Sequence, residues 1–146
     1  MTLFTEFRVQ VGAPLSLGND GFAEARIVPI LGGTVAGPGL SGSILPGGAD
    51  EQRIRADGLT RIHARYVIQA VDGALIRVDS QGLRHAPPEV MAALARGEKV
   101  DPAQVYFRTV IRFETAAPAH EDLNRALFLS DGRRDPDAVV LRLTRL

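Results

Sequence analysis

The run Leu59-Thr60-Arg61-Ile62-His63-Ala64-Arg65-Tyr66-Val67-Ile68-Gln69-Ala70-Val71-Asp72-Gly73-Ala74-Leu75-Ile76-Arg77-Val78-Asp79 settles the kind of architecture this chain adopts. Ile62, Ala64, Tyr66 and Ile68 fall on one face of an extended chain, and Arg61, His63, Arg65 and Gln69 on the other. Side chains of a strand point alternately to opposite faces, so Leu59–Val71 reads as a strand with one apolar and one polar side. Asp72-Gly73 follows, a hairpin signal, because a tight turn needs the positive φ that glycine adopts freely. Ala74–Asp79 then runs back with Ala74, Ile76 and Val78 inward.

The same pattern extends both ways. Asp57-Gly58 precedes the run, and Asp131-Gly132 is a third turn candidate. Further strands read over Leu3–Val11, Arg26–Val35, Leu40–Leu45, Asp50–Ala56, Gln104–Ala116, Ala126–Leu129 and Ala138–Leu146. One segment is helical: Pro88–Arg96, with proline in the first turn, Glu89 facing the positive end of the helix dipole and Gly97 placed to terminate it. His120–Arg125 adds at most one more turn, and His85, following Arg84, reads as lying in a loop before the helix. About ten short strands and one helix predict an all-β fold. We expect a small antiparallel meander β-barrel, lipocalin- or streptavidin-like in outline, with one short helix, because closure removes edge strands.

With 146 residues and no linker, the chain is expected to form one domain over residues 1–146. Hydrophobic residues are 45% and charged residues 23%, the balance of a globular protein. Seventeen basic residues cancel seventeen acidic ones, which argues against nucleic acid and against an anionic membrane surface as partners. Without cysteine there is no disulfide, thiolate nucleophile or Cys-based metal site. The residues from Met1 to Arg8 lack the pattern of a signal peptide, and no apolar run is long enough to span a bilayer, so the expected location is cytoplasmic. His63, His85 and His120 have no metal-ligand spacing. Gly32-Gly33 and Gly37-x-Gly39 are no dinucleotide fingerprint, since no helix follows, and neither a cofactor nor a metal is expected.

Several motifs resemble one family. They are Ile27-Val28-Pro29-Ile30-Leu31-Gly32-Gly33-Thr34, Leu45-Pro46-Gly47-Gly48-Ala49-Asp50, Arg65-Tyr66, Asp72-Gly73-Ala74-Leu75-Ile76, Gly82-Leu83-Arg84-His85, Tyr106-Phe107-Arg108-Thr109, Phe113-Glu114-Thr115 and Leu123-Asn124-Arg125. In order and spacing they are similar to those of DUF3237 (UPF0311) proteins, over nearly the whole chain. The resemblance implies a small bacterial or fungal β-barrel and, from members similar to proteins of aromatic-compound and polyketide pathways, small carbonyl or carboxylate substrates. One departure is Glu51, where the family usually carries an aromatic residue.

The residues that carry chemistry cluster on a few strands. On Gln104–Ala116, alternation puts Tyr106, Arg108, Val110, Arg112 and Glu114 on one face and Val105, Phe107, Thr109, Ile111 and Phe113 on the other. Two readings follow. In one, the charged face is solvated and an Arg112–Glu114 pair contributes at most about 1 kcal/mol. In the other, Tyr106, Arg108 and Glu114 line a barrel cavity and the apolar face meets the helix or a second subunit in a homodimer.

On the second reading Arg108 clamps an anion through its bidentate fork. Asp50 or Glu114, desolvated, serves as acid or base, and Tyr66 or Tyr106 donates a hydroxyl to a developing oxyanion. Gln52 shares a face with Asp50, His85 stands at a cavity mouth and Asn124 completes the substrate contacts. The bland alternatives are an Asp50 that bonds turn amides, a Tyr66 satisfied in the core, a solvated His85 and an Asn124 that caps a helix. The function expected is a small-molecule-binding barrel, a cofactor-independent lyase or isomerase acting by proton transfer, decarboxylation or ring closure on an aromatic or carbonyl-bearing acid. A non-catalytic binding or structural homo-oligomer is the alternative.

Overall fold

A computed structural model of the chain describes residues 2–146. Ten strands appear in order: β1 (Thr5–Val11), β2 (Leu15–Asn19), β3 (Ala23–Ala36), β4 (Gly42–Ile44), β5 (Ala49–Arg55), β6 (Thr60–Ala70), β7 (Leu75–His85), β8 (Tyr106–Glu114), β9 (Leu127–Arg134) and β10 (Ala138–Arg145). Helix α1 covers Pro88–Ala95, and 3-10 turns cover Pro102–Gln104 and Pro118–Arg125. All pairings are antiparallel, and the sheet closes through β1–β3 into an eight-position barrel. Strand β3 is long enough to hold two neighbours on each edge: its first half pairs β2 and β5, its second half β1 and β4. Among the described residues no helix is long and apolar enough to cross a membrane.

An eight-stranded barrel is just wide enough to be filled by side chains or to hold one small ligand. This one is filled by side chains in one half and keeps a small cavity in the other. Phe7, Ile68, Ile76, Phe113, Phe128 and Leu143 fill the half next to the Asp72-Gly73 turn. Phe113 stacks edge-on to Phe128 at 5.1 Å and to Phe7 at 6.3 Å, and Phe7 meets the Tyr66 ring at 6.3 Å. Tyr66 therefore forms the top of this plug. The other half is lined by polar groups as well as aliphatic ones. Helix α1 and the Pro102 turn lie across its end, with Leu94, Val100, Val105 and Phe107 around the stem of Arg84.

The two halves need a change of phase in β3. Val28 and Ile30 are buried, Leu31 is exposed, and Val35 is buried again. The odd spacing from Ile30 to Val35 would turn one of them outward in a regular strand. A bulge opposite Gln10 and Val11 absorbs the extra residue. Gly33 makes it possible: its φ is +146°, and a Cβ there would stand 2.1 Å from the Arg8 carbonyl oxygen. Gly33→Ala should therefore cost about 3 kcal/mol or more, read as a lowered urea midpoint with an unchanged slope.

The structure corrects four local expectations. Asp131-Gly132 lies inside β9; the turn to β10 is made by residues 135–137. Gly132 is there because the Phe107 ring lies where a Cβ would be, 2.8 Å away. Arg84 and His85 end β7 rather than standing in a loop. Leu15–Asn19, not read as a strand, is β2, which pairs only with β3 and so keeps one free edge on an otherwise closed sheet. Finally, the apolar face of residues 104–116 is the lumen face: Phe107, Thr109, Ile111 and Phe113 are buried, so it forms no subunit interface.

Candidate functional site

Five strands bring polar side chains to the unfilled half of the lumen. Asp50 and Gln52 project from β5, where two-residue spacing puts both inward. Tyr66 comes from β6, Ser80 and Arg84 from β7, and Arg134 from the end of β9. With Thr109 of β8 and an aliphatic wall including Val9, Val28 and Ile62, they enclose a cavity of about 40 Å³. That volume holds about three water molecules, or the polar end of a small ligand. Arg26 of β3 stands at the rim, opposite Gln52 in the β3–β5 register.

The hydrogen bonding is directional. Arg26 Nη2 donates to Gln52 Oε1 at 2.9 Å, and Gln52 Nε2 donates to Asp50 Oδ2 at 2.8 Å. Arg26 thereby sets which way the Gln52 amide faces, and Gln52 presents a donor to the carboxylate. Asp50 Oδ1 is left without a partner, as are Tyr66 OH, Arg84 Nε and Arg26 Nε, all buried. Buried polar groups in proteins nearly always have partners, and an unmade bond costs about 1–3 kcal/mol. Deeper in the wall the hydroxyls satisfy each other: Ser80 Oγ donates to Thr109 Oγ1 at 2.9 Å, and Thr109 meets Ser130.

Electrostatics separate these groups. Burial pushes the Asp50 carboxyl above the ordinary carboxylate range, and the Gln52 amide and the Arg84 charge pull it only part of the way back. Burial also pushes Tyr66 upward, with the Asp50 charge acting the same way, so its hydroxyl stays a neutral donor. Burial lowers Arg84 to about 10, which leaves it cationic at neutral pH. Arg134 is lowered first by burial and then by the charge of Arg26. Among the described residues neither Arg26, Arg84 nor Arg134 forms an ion pair with a carboxylate within 4.0 Å. Three cations around one carboxylate give the opening a net positive charge, the setting for an anion.

Of the residues singled out from the sequence, Asp50, Gln52 and Tyr66 meet in this cavity. Arg108, Glu114 and Tyr106 do not. They share the outward face of β8, where Arg108 pairs with Asp131 and lies against the Tyr106 ring, and Glu114 faces Arg77 at 3.9 Å. Tyr106 is 57% exposed. His85 is exposed at the end of β7, its side chain on the opposite face from Arg84. Asn124 ties down a loop: its amide donates to the Thr115 carbonyl and its oxygen accepts from the Thr115 N–H. Arg108→Ala should accordingly leave ligand binding within about twofold and the melting temperature within about 2 °C, since exposed ion pairs contribute little; calorimetry and a thermal melt check both.

The residues missed are Arg26, Arg84 and Arg134. Each lies two residues beyond an inward position on its strand: Arg26 before Val28, Arg84 after Gly82, Arg134 after Gly132. Parity would have found them once the inward face was known.

Fold and site together define a closed antiparallel barrel, plugged at one end and carrying a cationic, carboxylate-bearing cavity at the other. Its family follows from comparison: residues 1–146 match the family model described as "Protein of unknown function (DUF3237)", and the chain belongs to that family. The UPF0311 protein RPA1785 of Rhodopseudomonas palustris is 44% identical over 132 residues, 90% of this chain and 86% of that one. Its crystal structure superposes with a TM-score of 0.91, at 40% identity, over 100% of this chain and 99% of that one. A beta-barrel like protein of Acinetobacter baumannii gives 0.85 at 36% identity, covering 98% and 92%. An enzyme from Penicillium herquei shares the fold, with a TM-score of 0.72 at 18% identity over 98% of this chain and 92% of that one.

Proposed function

We propose that the lumen binds a small aromatic or carbonyl-bearing acid, and that Asp50 exchanges a proton with it without a cofactor. The observation that carries this reading is the convergence of buried, unpartnered polar atoms, Tyr66 OH and Asp50 Oδ1 with Arg84 Nε, on one cavity. A fold tolerates such atoms where a ligand completes them. The role first considered for Arg108 falls to Arg84, with Arg134 beside it: the guanidinium forks hold the ligand carboxylate at the opening. The aliphatic wall takes the hydrocarbon part. Tyr66 donates to a carbonyl or phenolic oxygen at the bottom, and Asp50 carries the proton that a lyase or isomerase must move. A barrel of this fold is an enzyme in Penicillium herquei, so the architecture is compatible with catalysis.

The test has two stages. Thermal shift and calorimetry with benzoate, 4-formylbenzoate, pentanoate and 4-oxopentanoate should find saturable binding by acids and none by benzyl alcohol. Proton NMR in D2O should then show exchange of the hydrogens next to the ketone of 4-oxopentanoate, faster with the protein than without and lost in Asp50→Asn. Binding without exchange would make the protein a carrier; no binding by any acid would end the reading.

A further inference from the structure

The opening holds three cations and a single carboxylate, and that carboxylate is the one with a free oxygen in the cavity. We propose that the ligand enters as a carboxylate together with one proton: its carboxylate takes over from Asp50 as the negative charge facing the arginines, Asp50 becomes a neutral acid, and Asp50 and Tyr66 then direct two O–H donors at one acceptor oxygen of the ligand. This rests on the binding reading above and adds the charge state of the site and the class of ligand. That class is an acid with a second oxygen acceptor, ketone or aldehyde, placed deeper than its carboxylate.

From β3 comes the Arg26 charge, relayed by the Gln52 amide; from β7 comes the Arg84 charge, with Arg134 of β9 lining the same cavity; from β6 come the His63 backbone N–H and the neutral Tyr66 hydroxyl. Strand β8 contributes the Thr109 hydroxyl, already engaged with Ser80 and Ser130, and β1 and β10 contribute only aliphatic side chains such as Val9 and Leu141. The ionised form of Asp50 is thus held by the Gln52 amide, the Arg84 and Arg26 charges and the His63 backbone N–H. A ligand carboxylate between Arg84 and Arg134 neutralises the Arg84 charge and adds a like charge nearby, and both effects favour protonation of Asp50. The proton comes from solvent and no bond other than O–H forms. A carboxyl kept neutral in an apolar site is a hydrogen-bond donor. The Asp50 Oδ1 has no other partner, and neither has the buried hydroxyl of Tyr66 on the same cavity.

The experiment counts protons. The sodium salts of 4-oxopentanoate and 4-formylbenzoate are added, at matched pH near neutrality, to the unbuffered protein in chloride solution under a pH electrode. Pentanoate and 4-methylbenzoate, which lack the deeper oxygen, serve as their partners. Calorimetry gives the affinities. We expect uptake of about one proton per ligand bound, and an affinity about 5- to 10-fold higher for each carbonyl acid than for its partner. Asp50→Asn should bind the carbonyl acids at least as tightly with no proton uptake, because its amide is already a neutral donor. Tyr66→Phe should erase most of the preference. Acids that bind without proton uptake, or with no preference for the deeper oxygen, would overturn the inference and leave lumen binding standing. If no acid binds, both readings fall.

Discussion

Arg84→Gln should lower the affinity for small organic acids by about 100-fold while leaving the barrel folded. The estimate comes from the loss of a bidentate, charge-assisted contact in a desolvated site, about 2–5 kcal/mol for such pairs. Arg84 suits this role because its guanidinium is not committed elsewhere. Among the described residues it makes no ion pair and its Nε has no partner, and its guanidinium carbon lies 5.9 Å from the centroid of the Phe107 ring, which holds the side chain in place. Folding is not expected to suffer, because the substitution removes a cation that burial already disfavours. Arg84→Lys should recover only part of the affinity, since an ammonium lacks the planar fork. Calorimetry with benzoate at fixed ionic strength, with Arg108→Ala alongside, checks the assignment: equal losses in both would point to a general surface-charge effect and reject it.

Asp50→Asn should abolish proton transfer and yet make the protein more stable at neutral pH. The stability half follows from linkage. The folded-state pKa of Asp50 is raised above its unfolded value, chiefly by burial. A carboxyl shifted upward favours the folded state below its unfolded pKa, and that contribution is lost as pH rises through the folded pKa. At neutral pH wild-type protein therefore carries the cost of a buried charge, and asparagine does not. We expect a gain of about 1 kcal/mol, or roughly 3 °C in Tm, typical of relieving a strained functional site. The gap should close in acid, where Asp50 is itself protonated. Melting curves of both proteins from acid to neutral pH read this directly. A variant less stable than wild type at neutral pH would mean that the arginines need Asp50 as a structural partner, and its functional role would lose its physical basis.

Much of this was legible from local pattern. The alternation of Leu59–Val71, the Asp57-Gly58 and Asp72-Gly73 turns and the proline-led helix at Pro88 are short-range signals, and all appear in the structure. Tyr66 was readable as an inward tyrosine because its neighbours at two-residue spacing are apolar, and Asp50 with Gln52 because they share parity. The errors arose where one local signal has two tertiary meanings. An Asp-Gly pair marks a turn only if the chain reverses there, and at Gly132 the missing side chain makes room for Phe107 instead. Arg108 and Glu114 share a face with Tyr106, but periodicity states only that two faces exist.

The sequence by itself determined nine of the ten strands, most turns, the barrel class and the family, because each depends on residues close along the chain or on motifs kept in order. Only the tertiary structure decided which face of each strand looks inward, and hence that Arg84 rather than Arg108 borders the cavity. The reason is geometric. Closure of the barrel curves all strands toward one side at once, so inward and outward are properties of the closed sheet rather than of any strand. Arg26, Asp50, Tyr66, Arg84 and Arg134 lie on five different strands, and register around the closed sheet brings them to one opening.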